Sequence, residues 1–251
     1  ILHEGNMKTL IELFDIKKGN IISVVGTGGK TTLLYELGKK LKNQYNVLLT
    51  TSTKIIKPSN ENYDYIYTSM EDYINDSTNR KKGLTVLSKG INSVNQKMLG
   101  IDDEFLEKII NDYDIVLIEA DGSRNLPLKG WKKHEPPILS KTNKIVGVFP
   151  VDMLGKRINK DKIYGFEEFQ TFINNEDFVC NDVVGRICSN ENGIFKNSRG
   201  ELYFFINHAN NDEGLNKAFE LAKYLKNFIV GNPFDFKICI GSLKKGEFYE
   251  Y

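Results

Sequence analysis

The chain has 251 residues, with 34 basic side chains against 33 acidic ones and a formal charge of +1. That length holds one large α/β domain with at most a small appendage, and the balanced charge excludes a strongly basic nucleic-acid surface and a disordered polyelectrolyte. Three cysteines without Cys-x-x-Cys spacing exclude a disulfide framework and a cysteine zinc site, and no apolar stretch reaches the ~18–20 residues of a membrane span, so a cytoplasmic protein with neither nucleic acid nor membrane as partner is expected.

Ile1–Asn6 precede Met7 and are set aside as an extension, which leaves 7–251 as a single domain. Apolar runs predict strands near 20–25, 46–51, 84–88, 113–119, 144–149, 202–207 and 236–241. Helical spacing predicts helices near 31–43, 102–111, 165–174 and 212–226. The alternation is that of a mainly parallel sheet flanked by helices. The basic run Arg80-Lys81-Lys82 reads as solvated loop. Residues 152–200 are broken by glycine and asparagine and read as a small helical insertion at the carboxyl edge of the sheet.

The first strand, Ile21-Ile22-Ser23-Val24-Val25, runs directly into Gly26-Thr27-Gly28-Gly29-Lys30-Thr31-Thr32 and then into the helical pattern Leu33, Leu37, Leu41. Glycines let successive backbone N–H groups turn toward one anion, and the positive end of the following helix adds to that field. Lys30 suits the β- and γ-phosphates of a nucleotide, and the Thr31 hydroxyl suits Mg²⁺. The pattern is a variant of the phosphate-binding loop, since Val24 stands where G-x-x-x-x-G-K-[ST] has its first glycine. Gly26 to Thr32 therefore predict a site for ATP and Mg²⁺ in a P-loop NTPase-like three-layer architecture.

A second buried strand, Ile115-Val116-Leu117-Ile118, ends in Glu119-Ala120-Asp121-Gly122, as a Walker B strand does. Period-two geometry puts Glu119 and Asp121 on one side. With Thr31 they are the expected metal site, one acid holding Mg²⁺ through water and the other orienting the nucleophile or the metal shell.

The loop that follows, Ser123 to Pro137, is rich in charge, holds the only tryptophan and is stiffened by Pro127, Pro136 and Pro137. Arg124, Lys129 and His134 suit an anionic substrate or transition-state charge, Arg124 and His134 joining Lys30, Glu119 and Asp121 as candidate catalytic groups. Thr50-Thr51-Ser52-Thr53-Lys54 offers hydroxyls to phosphate or to metal-bound water, or simply suits a strand end. Asp152 and Lys196 are further candidates. Asn207-His208-Ala209-Asn210 stands where GTPases carry N-K-x-D but lacks the aspartate that reads guanine, which favours adenine.

The variant loop, the threonine-rich strand end, Glu119-Ala120-Asp121-Gly122-Ser123 with Leu126-Pro127-Leu128-Lys129, and His134-Glu135-Pro136 together resemble the YqeC family. Val151 to Lys156 and Gly193-Ile194-Phe195-Lys196 resemble its later motifs, so the likeness covers about residues 20–242 and is most specific over 119–137. Family positions carry onto Lys30, Thr31, Glu119, Asp121, Arg124, Lys129, His134 and Glu135. Gly130-Trp131 and Lys132-Lys133 fill its variable part.

The resemblance implies a P-loop NTPase fold and an accessory role in maturing selenium-dependent molybdenum hydroxylases, with such an enzyme or its cofactor as partner. It supplies no reaction. The expected activity is an Mg²⁺-dependent ATPase or nucleotide-using transferase. A nucleotide switch that docks a client without turnover, and a Mur-like ligase, remain the alternatives.

Overall fold

A computed structural model describes residues 6–56, 63–76, 82–94, 97–229 and 233–251. Ile1–Gly5 of the extension, and Arg80 and Lys81 of the basic run, lie outside the described residues. In chain order the strands are β1 (Asn6–Met7), β2 (Ile21–Gly26), β3 (Asn46–Thr51), β4 (Lys54–Ile56), β5 (Tyr65–Tyr67), β6 (Gly83–Leu87), β7 (Lys97–Leu99), β8 (Ile115–Glu119), β9 (Leu128–Lys129), β10 (Lys144–Pro150), β11 (Ile163–Tyr164), β12 (Glu201–Asn207), β13 (Phe236–Ser242) and β14 (Glu247–Glu250). The helices are α1 (Leu10–Leu13), α2 (Lys30–Leu41), α3 (Met70–Asn75), α4 (Asp103–Ile109), α5 (Phe166–Phe169), α6 (Asn181–Ser189) and α7 (Asp212–Ile229).

Ten strands form one sheet in the order β1-β14-β13-β12-β10-β2-β8-β3-β6-β5, parallel from β13 to β5 and antiparallel at the β13-β14-β1 edge. Side chains alternate between its faces, as strand geometry requires. Ile22, Val24, Leu117, Val146 and Val148 pack with α1 and α2 on one face. Ile21, Val25, Val116, Ile118 and Ile145 pack with α3, α4, α6 and α7 on the other. The result is an α/β arrangement of three layers, a mostly parallel sheet between helices.

All seven predicted strands are present. Short β4, β5, β7, β9, β11 and the β14-β1 edge carry too few residues for a periodic signal, and the sequence did not reveal them. Asn6, set aside with the extension, pairs with Glu250 at that edge. The helix expected over 165–174 is shorter: α5 gives way to a 3-10 turn at Gln170–Phe172. That winding superposes residues three apart, and Phe169 and Phe172, both fully buried, meet edge to face at 5.9 Å.

The site follows from strand order. From β2 the chain passes through α2 to β3, beyond β8, and after β8 it returns to β10 on the other flank of β2. Such a reversal opens a crevice at the carboxyl ends of the strands. The loop after β2 lies there.

Candidate functional site

Three glycines, one ending β2 and two in the loop after it, hold positive φ: Gly26 at 92°, Gly28 at 80° and Gly29 at 121°. Space enforces the same choice. A Cβ on Gly26 would lie 2.3 Å from the Val148 carbonyl oxygen, one on Gly28 2.5 Å from the Pro150 ring, and one on Gly29 2.6 Å from Asn207 Nδ2. Gly29 is the N-cap of α2 and supplies no side chain to the helix's first N–H groups, so those donors remain available to an external acceptor. Thr27 is turned away, its hydroxyl donating to the Pro127 carbonyl at 2.7 Å. Asn207 donates to the Gly28 carbonyl at 2.7 Å and accepts from Leu243 N at 3.2 Å, which braces the loop from the end of β12.

Lys30 opens α2 but is only 6% exposed. Its ammonium donates to the Gly26 carbonyl at 2.6 Å and lies 3.3 Å from Asp121 Oδ1. Thr31, one residue on, donates to Glu119 Oε2 at 2.7 Å. Burial raises the Glu119 carboxyl above the usual carboxylate range, a shift that nearby Asp121 reinforces and that Lys30 and the Thr31 hydrogen bond oppose.

Glu119 and Asp121 do not share one environment. Glu119 lines the crevice beside Thr31. Asp121 is fully buried beneath the loop, where its Oδ2 accepts from Gly26 N and from Trp131 Nε1, each at 3.0 Å. Lys129 Nζ lies 3.7 Å from that same oxygen. Strand β8 ends at Glu119, and beyond it the period-two rule no longer directs the next side chain.

Lys129, expected to face an anionic substrate, is also fully buried. It donates to the Gly122 carbonyl at 2.6 Å and to Glu135 Oε1 at 3.0 Å, and sits 4.8 Å from the centre of the Tyr164 ring. A lysine withdrawn from water needs such partners. Trp131, assigned no role from sequence, is 3% exposed and joins Asp121 to the buried Phe172.

The 152–200 segment braces the site from below. Its Ile163, Phe169, Phe172, Val183 and Ile194 belong to the main hydrophobic cluster of one sheet face. Ile194 fills the space under Gly26 and Gly147, and Lys196 donates to the Lys132 carbonyl at 3.0 Å. Tyr164, paired with Lys129 across β9 and β11, carries the Arg124 guanidinium 5.6 Å from its ring centre.

A crevice of about 540 Å³ stands above the loop. It brings together Gly28, Gly29, Lys30, Thr31, Thr32, Glu119 and Arg124 from the expected site, with the further candidates Lys54 and Asp152 and with His208 of the 207–210 segment. Gly26 and Thr27 of the expected site are not among its lining residues. His134 is exposed and is not among its lining residues. The hydroxyls of Thr50 and Thr51 are spent on the carbonyls of Leu87 and Glu119, tying β3 to its neighbours. His208, with φ of 68°, holds Asp152 Oδ1 at 3.0 Å through Nδ1. A signal for Asn207 and His208 existed, since they end and follow a predicted strand at the same sheet edge. Nothing local marks Tyr164, and neither the lone tryptophan at 131 nor the motif around Ile194 discloses what those side chains support.

The sequence profile of the YqeC protein family matches residues 22–167, which contain the loop, both acids and the braced segment through Tyr164. A relative in Escherichia coli (strain K12), called Uncharacterized protein YqeC, is 28% identical over 163 residues, or 64% of this chain. The aligned stretch is 63% of that relative's length. No helix of the described residues is long and apolar enough to cross a membrane. With more than half its length matched by the profile, the chain belongs to the YqeC family.

Proposed function

We propose that this chain is a P-loop NTPase that binds Mg²⁺–ATP and uses it as an accessory factor in maturing selenium-dependent molybdenum hydroxylases. One observation carries the nucleotide reading: a loop of three positive-φ glycines delivers Lys30 and Thr31 to the start of α2, with the Thr31 hydroxyl 2.7 Å from a crevice-lining carboxylate. Gly28 and Gly29, where a Cβ would strike Pro150 and Asn207, lead into the uncapped start of α2 and offer backbone N–H groups, the donor set suited to phosphate oxygens. Thr31 and Glu119 offer hard oxygen donors side by side, which suit Mg²⁺, an ion that completes its shell with water and phosphate oxygens. Bound there, the ion would neutralise phosphate charge and polarise the β- and γ-phosphoryl groups.

The protein's own residues divide the work. Lys30 leaves the Gly26 carbonyl to meet phosphate, and Glu119 holds the metal shell or the attacking group. Asp121 acts at one remove, positioning Gly26 and Lys30. Arg124, held against Tyr164, brings a cation to the rim where charge would develop. The hydroxylase role rests on family resemblance and not on any geometry of the crevice. Adenine is favoured because the 207–210 segment offers Asn210 and no aspartate, and its Asn207 is committed to the loop.

The test is steady-state phosphate release with ATP and GTP as competing substrates. The reading expects turnover that needs Mg²⁺, prefers ATP and is lost in Glu119→Gln. Tight nucleotide binding without release would favour the nucleotide switch, and preference for GTP would overturn the adenine assignment.

A further inference from the structure

Next to the phosphate crevice lies a second compartment of about 550 Å³, separated from it by a wall that both share: Pro127, Asp152, Met153 and His208. The wall is built, since His208 adopts a left-handed backbone that costs a non-glycine residue energy and is held to Asp152. Behind it, lysines from three separate segments converge: Lys156 from the turn after β10, Lys162 just before β11, and Lys217 from α7.

Their charge is only partly answered. Glu213 is engaged by Lys217 at 2.6 Å, and Asp152 by His208. Lys217 holds the Glu213 carboxyl below its usual range, and Lys156 adds a smaller pull on the same group. Within 4.0 Å neither Lys156 nor Lys162 has a carboxylate partner among the described residues. Val151, Met153 and Leu154 supply an apolar wall. A concave compartment with an apolar wall, lined by three lysines of which only Lys217 is in an ion pair, has the chemistry of a site for an organic anion.

We infer that this compartment binds a second ligand, an acidic small molecule carrying phosphate or carboxylate groups, beside the nucleotide and across the Asp152–His208 wall. Adjacency to a nucleotide rests on the phosphate-loop reading; the anion site stands on its own residues.

Pyrophosphate is the probe, titrated calorimetrically into the full chain saturated with Mg²⁺ and a non-hydrolysable ATP analogue, so that the loop is occupied. Binding is expected to persist under saturation and to weaken at least tenfold in Lys156→Glu/Lys162→Glu, with analogue affinity within twofold of wild type. Loss of pyrophosphate binding under saturation, or its survival in the double variant, overturns the inference. A parallel fall in analogue affinity would give the compartment to the nucleotide itself and overturn it equally. Should the analogue fail to bind at all, the nucleotide reading falls while pyrophosphate binding to the free chain, measured against the same double variant, still decides the anion site.

Discussion

The mouth of the crevice and the ground beneath its loop contain the same kinds of residue in opposite conditions. At the mouth, Thr31, Thr32 and Arg124 are exposed, and Glu119 reaches the crevice from the end of β8. Beneath the loop, Asp121 and Lys129 are sealed from solvent with Trp131, Glu135 and the Gly26 N–H as partners. Two carboxylates two residues apart therefore stand in different settings: Glu119 lines the crevice, and Asp121 ties down the loop beneath it. Site chemistry and site support cannot be separated by residue type, only by burial and partners.

Breaking the underside should produce the largest effect. Asp121→Ala leaves Lys129 and Lys30 without their shared carboxylate and strips Gly26 N and Trp131 Nε1 of an acceptor. Removing one partner of a buried ion network costs about 3–5 kcal/mol, so urea unfolding should show a loss of that order, with nucleotide affinity falling as well. An unchanged midpoint with lost turnover would return Asp121 to the mouth.

Gly26→Ala comes next. Its Cβ would press on the Val148 backbone, and its φ of 92° is unfavourable to any side chain. A cost of about 1–3 kcal/mol is expected from the backbone strain, with more from the overlap, and the same titrations should show weakened phosphate binding because the loop must move. A variant as stable as wild type would mean that the loop relaxes freely.

The smallest effect sharpens the contrast by its sign. The folded-state pKa of Glu119 stands above its ordinary value, so the folded chain binds that proton more tightly than the unfolded one. Wild type then loses stability as pH rises through this range, and Glu119→Gln does not. In metal-free, nucleotide-free buffer the variant should gain on wild type above about pH 4 and melt slightly higher at pH 8. A lower melting temperature at pH 8 would make Glu119 a structural anion like Asp121.

The same contrast explains what the sequence disclosed. Gly26 to Thr32 and Glu119 are local signals: a strand, glycines that only a special backbone needs, and polar residues at a fixed offset. Their arrival in one crevice follows from two buried strands pairing in parallel, with Val24 opposite Glu119. The support was illegible because it is assembled from afar. Ile194 lies 168 residues from the Gly26 it underpins, and Tyr164 reads as an ordinary aromatic until β11 pairs with β9. Lys129 reads as a ligand-binding cation because its loop leaves the acid-bearing end of β8, but Tyr164 of the 152–200 segment and the Glu135 carboxylate take it up instead.

The central claim, that the mouth of this crevice is a triphosphate site, is tested most directly by calorimetric titration of Mg²⁺–ATP into wild type and Lys30→Ala. The variant is expected to retain a cooperative fold and to bind at least tenfold more weakly, since it lacks the charge proposed to meet the β- and γ-phosphates. Equal affinity in the two proteins, with both folded, would contradict the phosphate-loop assignment.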